Sequence, residues 1–398
     1  MRNHVFPGWT SAAFGDVLSH RKESGKSGDE LLSVTAEEGV ILQSESGRRN
    51  TSSEDKSSYK RVHPGDVVYN TMRMWQGVSG TSNHSGIVSP AYTVCTPKDS
   101  VDSLFLAYLL KHPDYIRRFR RMSQGLVSDT WNLKFREFAN IPLLLPPPPE
   151  QRKIAEVLDA VGGAISSVEM TMEGLNGLRL AQTSEQLGRF DSTETVAPFV
   201  VDSPKNGIYK HQSLYGPVGT PILRIDSFGG GDIFDIRSLR RVKALEAEIK
   251  DYGLRSGDVV VNRVNSIEHI GKSALVQGLR ENTIFESNVM RLRFDSRHLD
   301  SKYISLVLSG ASCLRHFRSR AKSAISQASI NKSDVLSCPI PVPSLEEQRR
   351  IVSIVAAHDE RIAAERARLE KLRKLKAGLM DDLLTGRVRV DQLEDLPV

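Results

Sequence analysis

The feature that most constrains this chain is a junction of prolines and a helix start that occurs twice. Residues 146–154 are PPPPEQRKI, and residues 343–351, which begin 197 positions later, are PSLEEQRRI. The match extends to PGDVVYN at 64–70 and SGDVVVN at 256–262, which are 192 positions apart, since loop insertions shift the offset. A repeat of this spacing predicts a tandem duplication, in which two copies of one structural unit make up the chain.

The residue pattern changes at each proline junction. Upstream lie short runs rich in Val, Ile and Tyr between clusters of Gly, Ser, Asn and Asp, a pattern that predicts short strands and turns. Downstream, apolar residues recur at spacings of four and three, which predicts a helix with a heptad seam. The predicted seam residues are Ile154, Leu158, Val161, Ile165, Val168, Met172 and Leu175 in the first helix, and Ile351, Val355, Ile362, Leu369, Leu372, Leu375 and Leu379 in the second.

The length of the two helices predicts that they pair. A helix of about 38 residues is about 57 Å long, which is too long for the core of a globule. Each apolar seam needs a partner in water, and the two helices carry net charges of opposite sign. Because one globule separates them along the chain, an antiparallel pair is the simplest arrangement. The alternative, in which each helix packs only on its own globule, stays open.

Composition and charge favour a soluble protein with an anionic partner. The chain has 398 residues, enough for at least two domains, with 26% charged and 39% hydrophobic residues. It begins without an apolar leader and contains no run of eighteen apolar residues, so we expect a cytoplasmic location. Cys95, Cys313 and Cys338 are widely spaced, and we expect reduced thiols. The net charge of +6 favours phosphate as a partner.

Motifs that would indicate catalysis or metal binding are missing from the sequence. ESGKSGD at 23–29 resembles a fragment of a phosphate-binding loop, but that motif needs glycine where His20 stands. FGGGD at 228–232 lacks the spacing of a dinucleotide fingerprint. No histidine or cysteine pair has metal-ligand spacing, and no G-x-S-x-G elbow occurs. We therefore predict a chain with no catalytic residue, no metal site and no cofactor of its own.

Basic, amide and aromatic residues gather upstream of the proline junction in both repeats. Arg, Lys, Asn and Gln can contact phosphates and base edges, and neighbouring aromatic rings can stack. An exposed arginine can equally be a solvated charge, and the asparagines that end the two GDVV strands can simply close a turn. The candidate DNA contacts are Arg48, Arg49, Lys60, Arg61, Asn70, Arg73 and Trp75 in the first repeat, and Lys205, Lys210, His211, Arg237, Arg240, Arg241, Asn262, Arg263 and Asn265 in the second.

The order of these features resembles the specificity subunit of bacterial type I restriction-modification systems, over nearly the whole chain. The resemblance rests on the two EQR junctions, on the long helix that ends in LLTGRVRV at 383–390, and on PGW at 7–9, GIVSPAY at 86–92 and GPVGTPILR at 216–224. It implies an α+β fold with two tandem α/β target recognition domains, separated and followed by long helices that form an antiparallel coiled coil with a pseudo-twofold internal repeat. The implied boundaries are 1–145 for the first recognition domain, 146–188 for the first spacer helix, 189–341 for the second domain, 342–390 for the second spacer helix, and 391–398 for a tail.

The resemblance also implies a function and partners. Each recognition domain would read one half of a bipartite double-stranded DNA target, and the paired helices would fix the gap and dock two methyltransferase subunits. S-adenosylmethionine, ATP and Mg²⁺ would be used by those subunits and by the motor and nuclease subunits of the restriction complex. Four glycines depart from a good helix in the first spacer, since each costs up to about 1 kcal/mol of helical propensity; they are Gly162, Gly163, Gly174 and Gly177.

Two other classes of function remain open at the sequence level. A coiled-coil scaffold could use the same globules to bind proteins without DNA specificity. An enzyme with an unrecognised active site, such as a nuclease acting alone, is the third possibility. A salt titration separates DNA recognition from the scaffold role. Contacts to several phosphates weaken steeply between about 50 and 200 mM salt, whereas a mainly apolar protein interface does not.

Overall fold

The structure, a computed structural model, describes residues 8–393 except 27, 48, 51, 54, 128–129, 230–231, 234–236 and 324–326. It contains two compact units. Unit 1 comprises Met1–Met170 and Ala367–Val398, and unit 2 comprises Thr171–Arg366. Two long helices therefore each contribute one segment to unit 1 and another to unit 2.

The helices and strands alternate irregularly along the chain. The helices are α1 (Phe14–Val17), α2 (Ser103–Leu109), α3 (Pro113–Met122), α4 (Phe135–Ala139), α5 (Pro148–Gly188), α6 (Glu246–Tyr252), α7 (Ser301–Ser309), α8 (Ala311–Arg320), α9 (Lys332–Leu336) and α10 (Leu345–Leu384). The strands of unit 1 are β1 (Thr10–Ala13), β2 (Leu18–His20), β3 (Leu32–Thr35), β4 (Gly39–Leu42), β5 (Lys60–Val62), β6 (Val67–Asn70), β7 (Ser79–Thr81), β8 (Gly86–Val88), β9 (Tyr92–Pro97) and β10 (Pro142–Leu145).

Unit 2 has more strands, and many of them are short. They are β11 (Glu194–Thr195), β12 (Lys205–Asn206), β13 (Tyr215–Gly216), β14 (Thr220–Leu223), β15 (Phe228–Gly229), β16 (Asp232–Ile233), β17 (Arg241–Val242), β18 (Val259–Asn262), β19 (Val264–Asn265), β20 (Ser273–Leu275), β21 (Ile284–Phe285), β22 (Val289–Leu292), β23 (Lys322–Ser323), β24 (Ala328–Ser329) and β25 (Pro339–Ile340). Single turns of 3₁₀ helix connect several elements of both units, and one of these turns is Met74–Gln76.

Each unit contains a four-stranded antiparallel sheet with the same strand order. The order is β2-β9-β6-β7 in unit 1 and β12-β22-β18-β20 in unit 2. Both sheets are buried on two faces because their central strands are apolar at consecutive positions. Val67 and Tyr69 of β6 join the core that contains α2 and α3, whereas Val68 packs with the β3–β4 hairpin on the other side. The duplication seen in the sequence is therefore also a duplication of the sheet.

The strand pairing corrects one detail of the sequence prediction. We expected α/β domains, yet the named strands in the described residues pair antiparallel with the exception of β14 and β21, which are parallel. Neighbouring strands such as β6 and β7 are joined by a short connection rather than by a crossover helix, and short connections produce antiparallel neighbours. Each globule is thus better described as an antiparallel sheet with helices packed against it.

A short strand leads into each proline junction. β10 pairs with β1 in unit 1, and β25 pairs with β11 in unit 2. Proline is suited to the start of the first long helix, because its fixed φ matches the first helical turn and its missing N–H is not needed there; in the second junction the last proline, Pro343, lies two residues before the helix. α5 begins at Pro148 and α10 at Leu345. Each long helix therefore starts from a point that is anchored in a globule.

A buried glutamine explains why both junctions contain the EQR motif. In unit 1, Gln151 Nε2 donates to the carbonyls of Ser100 at 3.1 Å and Pro146 at 2.8 Å, and its Oε1 accepts from the amide of Asp102 at 2.8 Å. Asp102 in turn caps α2 through a 2.9 Å bond from the amide of Phe105. The glutamine therefore joins the proline turn, the long helix and the start of α2.

The second junction repeats this arrangement in unit 2. Gln348 Nε2 donates at 2.8 Å to the carbonyls of His298 and Pro343, and its Oε1 accepts from the amide of Asp300 at 2.8 Å. Asp300 caps α7. Both glutamine side chains are completely buried, so every polar group they satisfy would otherwise lack a partner.

The segments of α5 and α10 that lie in unit 1 run antiparallel and contact each other. Arg373 donates to Glu169 Oε1 at 2.7 Å, and Lys153 lies 3.1 Å from Asp391 in the 3₁₀ helix Val390–Leu393 that follows α10. The predicted seam residues Ile154, Leu158, Val168 and Leu369 are buried, while Val161, Ile165, Leu372 and Leu379 are half-buried. Ile154 and Leu158 also belong to the core of the globule, so this segment of α5 packs on both its helical partner and its own globule.

The predicted seam is wrong at Leu375. It is half exposed, and Lys376 occupies the buried stripe instead. The reason lies in the helical period, since a step of four residues from Leu372 reaches 376 and a step of three from there reaches Leu379. A Cβ placed on Gly162 would lie 2.9 Å from Lys376 Nζ. The glycine thus makes room for the lysine, and it is a packing feature as well as a weak point in the helix.

The segments of α5 and α10 that lie in unit 2 are also antiparallel. Arg350 Nη2 donates to Gln186 Oε1 at 3.0 Å, and Arg179 Nη2 donates to Asp359 Oδ2 at 3.3 Å. The seam residues Leu175, Ile351, Val355 and Ile362 are buried and Met172 is half-buried. His358, which interrupts the apolar pattern, is hydrogen-bonded to Gln182. A polar pair therefore fills a position where the heptad predicts an apolar residue.

Candidate nucleic-acid interface

In unit 1 the turn after β6 brings three predicted residues together. Asn70 Oδ1 accepts a hydrogen bond from the amide of Met72 at 3.0 Å, so this asparagine closes the turn. Arg73 follows and is exposed. Trp75, in the 3₁₀ helix Met74–Gln76, donates its indole N–H to the carbonyl of Met72 at 3.0 Å. These hydrogen bonds hold the turn, which carries a guanidinium and an indole two residues apart in the sequence.

Two residues that sequence reasoning missed complete this surface. The ring of Trp131 meets the ring of Trp75 edge to face, with centroids 5.2 Å apart. The guanidinium of Arg120, at the end of α3, lies 5.2 Å from the centre of the Trp131 ring. The arginines of α3 lie on its outer side because Tyr115 and Phe119 face the core. That periodicity could have indicated Arg120, whereas only the folded chain brings Trp131 beside Trp75.

These four side chains define the aromatic-basic surface, which consists of Arg73, Trp75, Arg120 and Trp131. Indole rings beside guanidinium groups are suited to bases and phosphates, because bases stack on aromatic faces and arginine attracts phosphate oxygens.

The other predicted contacts of unit 1 lie elsewhere or are already engaged. Lys60 Nζ donates to the carbonyl of Pro90 at 3.1 Å, and burial lowers the pKa of this lysine. Arg61 forms an ion pair with Asp29, and its hydrogen bond lowers the pKa of that carboxyl group. Lys60 and Arg61 thus hold the sheet together. Arg49 is exposed, and Arg48 lies outside the described residues.

The equivalent turn of unit 2 is closed in a different way. Asn262 is completely buried, so its side chain cannot reach DNA, and the prediction of a base contact there is wrong. Arg263 Nη1 donates to the carbonyl of Ser287 at 3.1 Å. Asn265 Oδ1 accepts from the amide of Ser266 at 2.8 Å. In this unit the segment after β18 forms strand β19, which pairs with β24 and keeps these polar groups inside the fold.

Two predicted lysines of unit 2 are internal ion pairs. Lys210 lies 2.5 Å from Glu248, and only 7% of its side chain is exposed, so it is excluded as a DNA contact. Its hydrogen bond is the main reason that the pKa of Glu248 is lowered. Lys205 pairs with Asp251 and lies 4.5 Å from the centre of the Tyr252 ring. His211 is exposed, but its Nδ1 accepts from the amide of Ser213 at 3.3 Å, which caps a short helical turn.

The remaining predicted arginines of unit 2 lie near a cleft of about 250 Å³. Its walls include Arg237, Arg241 and Arg280 together with Glu281. Arg241 Nη1 donates to Glu281 at 3.0 Å and to the carbonyl of Gly219 at 2.7 Å, and this contact lowers the pKa of Glu281. Arg240 precedes this site on the chain and is exposed. Three guanidinium groups and one carboxylate leave a positive cleft, which we name the arginine cleft.

The described residues contain no group of three or more His, Cys, Asp or Glu side chains placed to hold a metal ion. Across the same stretches of the chain, none of the helices combines the length and the apolar character needed to cross a membrane. Cys95, Cys313 and Cys338 are buried and unpaired by disulfide bonds.

The chain matches the family model described as the type I restriction modification DNA specificity domain, over residues 37–172 and again over residues 200–374. A putative type I restriction enzyme MjaX specificity subunit from Methanocaldococcus jannaschii is 33% identical over 196 residues; the match covers 48% of this chain and 44% of that protein, so it spans less than half of the relative's length. The MjaVIII specificity subunit from the same organism is 25% identical, with 85% of this chain and 84% of the relative covered.

Two solved structures share the fold. A chain from a study of complex assembly and conformational transition of the type I R-M system gives a TM-score of 0.60 at 17% identity, covering 96% of this chain and 98% of that one. The S subunit of the type I restriction-modification system from M. genitalium gives a TM-score of 0.56 at 13% identity, covering 96% and 97%.

Proposed function

Because this chain belongs to the family of type I restriction modification DNA specificity domains and carries that domain twice, we propose that each of its two units reads one half of a bipartite DNA sequence. The role is DNA recognition rather than catalysis. The observation that carries the proposal is the duplicated sheet, which offers two frameworks with different surface residues. Two such readers specify two short, different half-sites with an unread gap between them.

The two units supply different contact residues in this proposal. In unit 1 the aromatic-basic surface contacts bases and phosphates through Arg73, Trp75, Arg120 and Trp131. In unit 2 the arginine cleft and the exposed Arg240 contact the phosphate backbone. Arg49 and His211 remain proposed contacts because their side chains are exposed. Lys60, Arg61, Lys205 and Arg263 stabilise the readers instead, since their charges are held by internal partners.

We further propose that α5 and α10 form an antiparallel coiled coil along their length, with a pseudo-twofold internal repeat. The antiparallel contacts within each unit support this proposal. The domain boundaries at 145, 188, 341 and 390 remain our proposal for where readers and spacers meet. Paired helices of fixed length would set the gap between the half-sites.

The partners follow from the same role. We propose that two methyltransferase subunits dock on the paired helices and use S-adenosylmethionine, and that restriction subunits add ATP-dependent and Mg²⁺-dependent activities in the cytoplasm. Footprinting of the chain with its methyltransferase partner tests the proposal. Two protected regions flanking an unprotected gap are expected, and one contiguous region would contradict it.

A salt titration separates this role from that of a protein scaffold. Binding through several phosphates should weaken by roughly 10³-fold or more between 50 and 200 mM salt. The charge-removing variant Arg73→Ala with Arg120→Ala should reduce the slope of this dependence, and Lys22→Ala with Arg152→Ala, at exposed residues outside the proposed contacts, serves as a control with the same loss of charge. Affinity that is independent of salt would favour the scaffold.

A further inference from the structure

Hydrogen bonds hold together the described residues of the loop that follows α3 in unit 1. Gln124 and Asn132 exchange two backbone hydrogen bonds, of 3.0 and 2.8 Å, which close its base. Near its tip the amide and the hydroxyl of Thr130 both donate to the carbonyl of Val127 at 2.9 Å. Gly125 has a φ of +150°, and a Cβ there would lie 2.6 Å from the carbonyl oxygen of Thr130. The loop needs glycine at this position to close.

The tip of this loop carries two apolar side chains in water. Leu126 is fully exposed, and Val127 is 59% exposed. Isolated exposed apolar residues are common on protein surfaces, but here two of them are adjacent and held outward by the hydrogen-bonded base. Burying such a pair in a partner would strengthen binding by roughly 100-fold or more before the cost of separating the partner's own contacts. The tip is therefore a candidate binding surface, and the residues near it indicate which partner would cover it.

The end of this loop lies against basic and aromatic side chains. The loop ends at Trp131, which lies against Trp75 and Arg120. The amide of Leu133 donates to the carbonyl of Thr71 at 2.8 Å, which fixes the loop beside the turn that carries Arg73. The partner that covers the tip must also accept these positive charges. Duplex DNA meets both conditions, because proteins that insert apolar wedges between its base steps also use arginine and lysine in the minor groove, and its phosphates attract arginine.

We propose that Leu126 and Val127 form a wedge that enters the DNA beside the half-site read by unit 1 and unstacks one base step. This rests on the proposed function and adds a specific task to it. The aromatic-basic surface holds the backbone on either side, and the hydrogen-bonded loop base resists the force needed to separate the stacked bases. Sequence preference would then include the ease with which that step unstacks.

The test uses the full chain and duplexes recovered by it from a random-sequence library. 2-Aminopurine is placed at successive positions, since its fluorescence rises when it loses a stacking neighbour. The variant is Leu126→Ser with Val127→Ser. The matched control is Val201→Ser with Leu245→Ser, which removes a valine and a leucine that are 57% and 71% exposed in unit 2 and lie outside the proposed contacts.

We expect wild-type protein and control to raise fluorescence at one step and to bind equally. The wedge variant should lose this signal and bind at least 10-fold more weakly, while circular dichroism shows it folded. An unchanged affinity, or weaker binding with no fluorescence signal in the wild type, would overturn the wedge. A variant that binds DNA normally but no longer retains a methyltransferase subunit would assign the tip to a protein partner. If the library yields no preferred sequence, the proposed function itself fails, which is a separate result.

Discussion

The two units differ most clearly at one equivalent place along α5 and α10. In unit 1, Lys376 lies over the ring of Tyr108, with Nζ 5.2 Å from the ring centre, in the space left by Gly162. The hydroxyl of Tyr108 donates to Asp159 at 3.3 Å. Burial is the main reason that the pKa of Lys376 is lowered and that the pKa of Tyr108 is raised to about 12.

Unit 2 uses other side chains at the matching positions. In the repeat, Asp359 is equivalent to Gly162 and Arg179 is equivalent to Lys376. Asp359 and Arg179 form an ion pair in unit 2. Leu306 stands where unit 1 has Tyr108, and it lines a cleft of about 290 Å³ together with Val355. The duplication has therefore preserved the backbone contacts, whereas the side chains that fill them have diverged. The hydrogen bonds that join each unit to its long helix are the same in both units, whereas the surface residues differ.

The largest expected effect tests what the units share. Gln151→Leu removes three hydrogen bonds and leaves buried backbone groups without partners, which should lower the free energy of unfolding of unit 1 by about 3 kcal/mol. Gln348→Leu should cost unit 2 about the same, because its hydrogen bonds match. Urea denaturation combined with hydrogen exchange of α2 and α7 measures both effects.

The exposed neighbours supply the control for this pair. Arg152→Leu and Arg349→Leu change the next residue of each motif without touching the buried hydrogen bonds, so each should change stability by less than about 0.5 kcal/mol. A large cost in only one unit would break the equivalence of the two junctions.

The next effect depends on pH and should appear in unit 1 alone. His112 caps α3, accepting from the amide of Asp114 at 3.2 Å, and burial is the main reason that its pKa lies below 6.5. As pH falls below about 6.5 the unfolded state gains a proton that the folded state resists, so stability falls by up to about 1.4 kcal/mol per pH unit. The charge of Asp114 raises the pKa of His112 and offsets part of this loss.

Unit 2 provides the internal comparison, because Gly310 caps α8 at the matching position. His112→Asn keeps a capping oxygen and cannot titrate, so the protection of α3 against hydrogen exchange should become as insensitive to pH 5–6.5 as that of α8. If the variant keeps the full acid sensitivity of wild type, another group is responsible.

A smaller effect concerns the ion pair of unit 2. Asp359→Ala leaves Arg179 without its carboxylate and should destabilise unit 2 by about 1 kcal/mol, since two-point contacts with arginine are stronger than ordinary surface pairs. Asp159→Ala in unit 1 removes a long hydrogen bond and a carboxylate that interacts with Lys376 without a direct ion pair, and should cost about 0.5 kcal/mol or less. Thermal denaturation of both variants at low and high salt compares them, and an equal cost would show that the units do not differ here.

The smallest effect distinguishes glycines within α5. Gly163 has open space around its Cα, so Gly163→Ala should stabilise the protein by about 0.5–1 kcal/mol through helix propensity. Gly162→Ala should gain less, because the new methyl group must displace Lys376. Chemical denaturation measures the difference, and a larger gain at Gly162 would mean that the lysine does not need this space.

The sequence predicted the duplication, the long helices and the class of function because these depend on repeats and periodicity. It misplaced Leu375, since a seam inferred from apolar residues skips a lysine that packs through its alkyl chain. It also could not separate exposed from engaged polar residues. Lys210 and Asn262 have the residue types of DNA contacts. Lys210 is instead paired with Glu248, and Asn262 is buried where strand β19 follows it, and the sequence does not show either tertiary contact. Trp131 was missed for the same reason.

The central claim is that two units, which have equivalent junctions with the long helices but different surfaces, read two separated half-sites. The most direct test is the position-resolved adenine methylation of DNA that has been exposed to the chain assembled with its methyltransferase subunits. The account predicts modified adenines within two short, different sequences at a constant separation, with no sequence requirement in the gap that separates them. Methylation within one contiguous sequence, or without sequence preference, would contradict it.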